Sequence, residues 1–523
     1  MLTLRFVNHP HRHRFALAVL PLLLAACATD VDHRAPDIEL PGSFLYSDTA
    51  VATGATRAEA APTSGTAGAA TTNAPATTTT IPPDWWTVYA DADLDRLLRR
   101  VGEANTDLAQ AEARWRQALA QVDAARALAL PQLSAGASAS RSGGSGSSGG
   151  STSTGSNTGT RQLYAAGLDL SWTPDLWGRV ALSRNAAAAT ADAQAALIDA
   201  TRLALQLTAA QGYVRLRALD AQLALQTQTD VAYARSLQIT QLQYEAGLVA
   251  RADVIQAETQ LQSLRTQVFA LQRQRALEAN ALALLAGSTP AQYPIVVRDG
   301  SVAVGEVQAR SAQSAERSVS TALPVVPPVP TALPVELLRR RPDLAAADRA
   351  LAAAHARLGV AQRAWLPDFS LSASGTLQAT SLARLIDAPA RVWSLGPQLA
   401  ATLFDGGARR ANEASFLAAY DEQAAAWRGG VLAAVRETED ALARLATLAE
   451  QERQQQRLVA LANENERVVG YRYEAGEISF LEVATAQNLA LSARRAALDV
   501  QAERLAASMA LVAALGGGWQ GLR

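Results

Sequence analysis

Two stretches of this chain repeat one another, and that duplication limits the fold more than any other feature. Asp107-Leu108-Ala109 runs on to Leu130-Pro131-Gln132-Leu133. Asp343-Leu344-Ala345 runs on to Leu366-Pro367-Asp368-Phe369, at a constant offset of 236. Downstream, Tyr244-Glu245-Ala246-Gly247 matches Tyr473-Glu474-Ala475-Gly476, and Asp253-Val254 matches Glu482-Val483, at an offset of 229. A repeat of this kind is one structural unit used twice. The drop in offset from 236 to 229 falls between the blocks, where a Gly/Ser-rich run at 142–160 faces a shorter connection near 380–390. Length variation belongs in exposed loops, so these are hairpin tips.

Within each copy the period changes along the chain. Leu94, Leu97, Val101, Ala104, Leu108 and Ala111 step by three and four, as do Leu344, Ala347, Leu351, Ala354 and Leu358. That is a helical seam of coiled-coil type. Pro131 and Pro367 stop the helices. Leu133, Ala135, Ala137 and Ala139 then alternate, as do Phe369, Leu371, Ala373 and Gly375, predicting strands. Second strands are expected at about 162–172 and 392–402. Each has about the ten residues that a tilted transmembrane strand needs. Four ordinary soluble strands are the alternative. From 179 to 246 there is no Pro and a single Gly, Gly212, so one long helix is expected, mirrored over 408–475. At about 1.5 Å per residue it would be on the order of 100 Å long. Leu261, Leu264, Val268 and Leu271 continue the stepping on a following helix.

Composition agrees. Ala makes up roughly a fifth of the chain, and aromatics only 5%, which suits long, closely packed helices. All 47 basic residues are Arg, against 48 acids, for a net charge of −1. That balance argues against nucleic-acid binding. One Cys excludes a disulfide framework and a thiolate metal site. With three of five His in the first fourteen residues, a His-based metal or acid–base centre is not expected. No nucleophile–base set, phosphate loop or metal spacing stands out, so no catalytic residue is assigned.

Residues 1–26 read as a secretory signal: Arg5, Arg12 and Arg14 precede the short apolar run Phe15 to Leu24. It ends in Leu24-Ala25-Ala26-Cys27, which resembles the lipobox of bacterial lipoproteins. Cys27 is then the acylated (diacylglycerol and palmitate-type) mature N-terminus, with Ala28 favouring the outer membrane. Multiple acyl chains anchor stably. The expected map is a signal at 1–26, a lipidated segment with a disordered Thr/Ala-rich tether at 27–83, repeat 1 at 84–288, a Pro-rich linker at 289–335, repeat 2 at 336–515 and a tail at 516–523. No later segment is apolar enough for a spanning helix, so a spanning role must use strands. Four strands cannot close a barrel, and open edges are not tolerated in lipid, so several copies must pool strands. Two copies or three satisfy this equally.

These residues resemble the TolC/OprM/NodT family of outer-membrane efflux channels, the outer membrane factors, in its lipoprotein branch. The resemblance runs from about Trp85 to Leu515. It rests on Leu337 to Leu344 (Leu-Leu-Arg-Arg-Arg-Pro-Asp-Leu), on Asp175-Leu176-Trp177-Gly178-Arg179 and Leu403-Phe404-Asp405-Gly406-Gly407, and on the twin Tyr-Glu-Ala-Gly turns. It implies a mainly α fold with a membrane β-barrel. Three copies would form a long α-helical barrel through the periplasm and a shared twelve-stranded barrel, four strands from each. It implies a periplasmic adaptor and an inner-membrane pump as partners, outer-membrane lipid around the barrel, and no cofactor beyond the lipid on Cys27. The cargo would be drugs or other toxic compounds. A type I protein-secretion duct and a purely structural coiled-coil envelope lipoprotein are the alternatives.

By the same resemblance, Gly247-Leu248-Val249 and Gly476-Glu477-Ile478 are the periplasmic tips that dock the adaptor. Asp253, Tyr473 and Glu482 are the gate or constriction residues. A carboxylate ring in a narrow pore attracts cations. In the TolC branch an Arg near the second tip locks the closed state with a Tyr and an Asp. Here that position is Ile478, so closure is expected to rest more on Leu248, Ile478 and Leu481.

Overall fold

The computed structural model describes residues 44–46, 82–143, 160–295, 326, 340–387 and 389–519. The expected signal, Cys27, the tether and most of the linker lie outside them.

The duplication is carried through to the elements. Repeat 1 contains a 3-10 turn Trp85–Tyr89, then α1 Ala92–Ala104, α2 Thr106–Ala127, β1 Gln132–Ser142, β2 Arg161–Trp172, α3 Arg179–Glu245 and α4 Arg251–Leu285. Repeat 2 contains α5 Pro342–Arg363, β3 Asp368–Ala379, α6 Leu382–Asp387, β4 Ala390–Ala400, α7 Ala408–Glu474 and α8 Phe480–Ala514. The helix pairs α2/α5, α3/α7 and α4/α8 have equal lengths of 22, 67 and 35 residues. Among the described residues no helix is long and apolar enough to cross a membrane.

The chain divides into two compact units. Of the described residues, one holds those within Trp115–Gln194 and Ala347–Trp427; the other holds those within Asp37–Arg114, Ala195–Ala346 and Arg428–Arg523.

The first unit holds one antiparallel sheet in the order β1-β2-β3-β4. Its register sorts most of the side chains by polarity. Leu133, Leu170, Ala373 and Leu395 form one row across the four strands, and Ala135, Leu168, Gly375 and Trp393 the next. The opposite face carries Ser134, Asp169, Ser374 and Ser394, flanked by Gln132, Ser171, Ser372 and Gly396. Side chains alternate along a strand, so through the middle of the sheet one face is apolar and the other largely polar. The apolar face is bare: Trp393 is 77% exposed, and Leu133, Leu395 and Leu399 about two-thirds exposed. Among the described residues the outer edges of β1 and β4 are unpaired.

Two details of this unit differ from expectation. The last strand is 390–400, not 392–402, because its partner β3 begins at Asp368, opposite Ala400. Pro367 precedes it and has no N–H to extend the ladder. The connection near 380–390 is not plain loop but contains the short helix α6.

The second unit is organised by a core that draws on both repeats. Trp85, Trp86 and Tyr89 pack with Leu94, Leu98 and Val101, with Tyr213 and Val214 of α3, Leu282 of α4, and Leu505 and Met509 of α8. Tyr213 donates to Asp91 at 2.9 Å, and the Tyr89 hydroxyl pairs with Ser508 at 2.9 Å. Phe44 packs on Leu442 and Leu511, and the backbone N–H of Leu45 and Tyr46 both donate to the Glu439 carboxylate.

The first seam is not one helix. The chain leaves helical geometry at Asn105, whose Oδ1 accepts from the N–H of Asp107 and Leu108 and so caps α2. Asn105 Nδ2 donates to the Leu285 carbonyl at 2.8 Å. Repeat 2 answers with Arg341 at the matching position. Arg341 donates to the Ala514 carbonyl and pairs with Asp343 and Glu437. A second matched pair closes each repeat. A Cβ on Gly287 would lie 1.9 Å from the Ala104 carbonyl oxygen, and one on Gly516 would lie 1.9 Å from that of Arg340.

Candidate functional site

The two helical reversals carry the expected docking residues, and both are in the second unit. α3 ends with Gly247 at φ +75°, and α7 with Gly476 at φ +78°. The Gly247 N–H donates to the Tyr244 carbonyl and the Leu248 N–H to that of Gln243. At the second turn the Gly476 N–H donates to Tyr473 and the Glu477 N–H to Arg472. These are Schellman closures, which need a left-handed residue at the glycine. A Cβ on either glycine would meet nothing within 4 Å. Conformation requires the glycine, and the space around each turn is open.

The turns share a backbone but not a surface. Leu248 is 74% exposed, while Ile478 packs partly against the apolar cluster of Ala257, Tyr473, Phe480, Val483 and Ala484. Val249 is half-buried. Glu477 pairs with Arg472 at 3.3 Å, both well exposed, whereas the first turn has Leu248 and Gln243 at those positions. Leu481 is 63% exposed.

The three expected gate residues fall into different environments. Asp253 is half-buried and its Oδ2 accepts the Ala250 N–H at 3.2 Å, so it caps the start of α4. Glu482, its counterpart on α8, is exposed and makes no ion pair among the described residues. Tyr473 is buried, its ring edge-on to Phe480 at 5.8 Å, and its hydroxyl pairs with Thr240 at 2.8 Å. Burial pushes the Tyr473 phenol up, the Thr240 hydrogen bond opposes this, and the Asp253 charge adds to it. Tyr473 and Glu482 are therefore not one contact group; the tyrosine locks α7 to α3, and the carboxylate projects.

Sequence reasoning missed Thr240 and the polar ladder above it, Gln487 to Ser236 at 3.0 Å and Gln260 to Gln487 at 3.3 Å. A signal was present. Return helix α4 opens with an exposed Arg251, whereas α8 opens with a buried Phe480. That exchange gives the second turn an apolar anchor against Tyr473 where the first has an exposed cation. Among the described residues no cluster has metal-ligand character.

Residues 97–288 and 333–517 match the family model described as outer membrane efflux protein. The chain belongs to the outer membrane efflux protein family. It is 31% identical to outer membrane protein OprJ of Pseudomonas aeruginosa over 83% of this chain and 86% of that one. It is 32% identical to the pyoverdine export outer membrane protein OpmQ of the same species, over 83% and 87%. The solved outer-membrane channel OprN matches at a TM-score of 0.77 and 26% identity, covering 94% of this chain and 99% of that one. Membership settles the class. This is an outer-membrane efflux channel subunit, with its strands in the membrane and its helices in the periplasm. The family is one of transport proteins rather than enzymes.

Proposed function

We propose that three copies of this chain form the exit duct of a tripartite efflux system for drugs or other small toxic compounds. Each copy gives four strands to one closed barrel. The observation that carries the reading is the sheet. Its bare apolar face suits lipid, and its two open edges are unstable there unless they pair with other copies.

Energy comes from a partner, the inner-membrane pump. A periplasmic adaptor of an inner-membrane pump docks at the turns around Gly247-Leu248-Val249 and Gly476-Glu477-Ile478. The open space around both glycines and the exposure of Leu248 support this. The exposed Glu482 carboxylate, present once per copy, forms the acidic constriction, and Asp253 backs it. Tyr473 holds the closed hairpins through Thr240. Acylation of Cys27 anchors the N-terminus.

The test is conductance of purified protein in planar bilayers. Glu482→Ala is expected to lower cation preference and raise single-channel conductance. Unchanged selectivity and conductance would remove Glu482 from the constriction. Absence of any channel in the wild type would remove the duct.

A further inference from the structure

The outward face of the sheet has two ends, and they treat charge differently. At the helix-side end three arginines near the strands are held by partners. Arg179 pairs with Asp368 at 3.0 Å, Arg409 with Asp405 at 2.8 Å, and Arg363 donates to the Gly178 carbonyl at 2.7 Å. At the far end Arg141 and Arg391 have no ion pair among the described residues. β1 begins beside Pro131 and reaches its far end at Arg141, and β4 begins at its far end with Ala390-Arg391.

Register places both arginines on the apolar face. Arg141 follows Leu133, Ala135, Ala137 and Ala139 at steps of two, and Arg391 precedes Trp393, Leu395, Pro397 and Leu399 in the same way. Arg384 sits on α6, which packs against β2 and β3 at this same end. All three are exposed, and none has an ion pair among the described residues. At this end Leu382, Ile386 and Trp393 are 60%, 80% and 77% exposed. The described acid at this end is Asp387; Asp169 points to the other face.

Length fixes the level. An eleven-residue strand is about 36 Å long, and a tilt near 40° brings it to roughly 28 Å of height. It therefore crosses the apolar band and delivers its last outward side chains to the headgroups of the outer leaflet. The helices lie on the periplasmic side, so the far end faces outward.

We propose that Arg141, Arg384 and Arg391 bind the phosphates of lipid A, the phosphorylated glycolipid of the outer leaflet, while Leu382, Ile386 and Trp393 take its acyl chains. The argument is charge complementarity on a face continuous with the lipid-facing sheet. Arg engages phosphate through two parallel N–H donors, which a point-charge ammonium cannot do. The inference needs the outer-membrane location and not the docking or gating scheme.

The test is native mass spectrometry of full-length protein purified from outer membranes in mild detergent, then stripped and titrated with three probes. These are bis-phosphorylated lipid A, dephosphorylated lipid A and phosphatidylglycerol. Wild type should retain lipid A and bind it at least about tenfold more tightly than the other two. The triple variant Arg141→Gln, Arg384→Gln, Arg391→Gln should lose that preference while keeping its conductance. If the triple variant fails to insert, each single variant should weaken lipid A binding by about threefold. Equal binding of phosphatidylglycerol, or lipid A retention within twofold of wild type in the variants, overturns the proposal.

Discussion

At the scale of single residues, three contacts decide whether the folded state tolerates change. Gly287 and Gly516 face backbone carbonyls at 1.9 Å from a notional Cβ, with φ of +67° and +95°. Nothing flexible can yield there, so Gly516→Ala should destabilise by about 3 kcal/mol, from overpacking plus left-handed strain. Gly247→Ala, in open space, should cost only about 1 kcal/mol. Thermal unfolding in detergent, read by circular dichroism, separates the two. Asp405 is held at about 2, below its usual 3.8, first by the Arg409 guanidinium, then by the N–H groups of Arg409 and Gly407. A depressed carboxylate contributes stability above its ordinary pKa and loses it as pH falls through the folded value. The melting-temperature difference between wild type and Asp405→Asn should therefore shrink between pH 3.8 and about 2 and vanish below. Little of this was legible. Asp253 and Glu482 look equivalent in sequence, and only coordinates show one capping α4 and the other projecting. Resemblance makes Tyr473 a gate residue, but its buried bond to Thr240 depends on helix packing between repeats that no local pattern records.

At the scale of elements, the sequence is more candid. Steps of three and four, prolines at 131 and 367, and alternation after each proline locate the helices and the first strands. The misses have local causes. Asn105 breaks the first seam while leaving its buried positions in register, so periodicity passes straight through the break. The β4 boundary follows from where β3 starts, and strand ends are set by partners rather than by the strand's own residues. The tip turns carry a prediction at this scale. Gly247→Asn keeps a residue that tolerates positive φ and should preserve both folding and efflux. Leu248→Asp leaves the turn intact but charges its most exposed apolar side chain. It should unfold within a few degrees of wild type and lose efflux, as intracellular dye accumulation would show. Loss of efflux with an equally large loss of stability would mean that the turn is structural only.

For the whole molecule, the repeat and the four-strand count already demanded several copies, but not how many. The sheet adds why: an apolar face exposed across all four strands and two open edges. Light scattering of the detergent-solubilised protein should give the mass of three chains. The central claim is that this assembly is a duct joined to a pump at its periplasmic tips. In-cell crosslinking from positions 248 and 477, with mass-spectrometric identification of the captured protein, tests it most directly. The account predicts capture of a periplasmic adaptor belonging to a proton-driven drug pump. Capture of an adaptor from an ATP-driven protein exporter would reassign the cargo, and capture of peptidoglycan-associated proteins without any adaptor would contradict the duct itself.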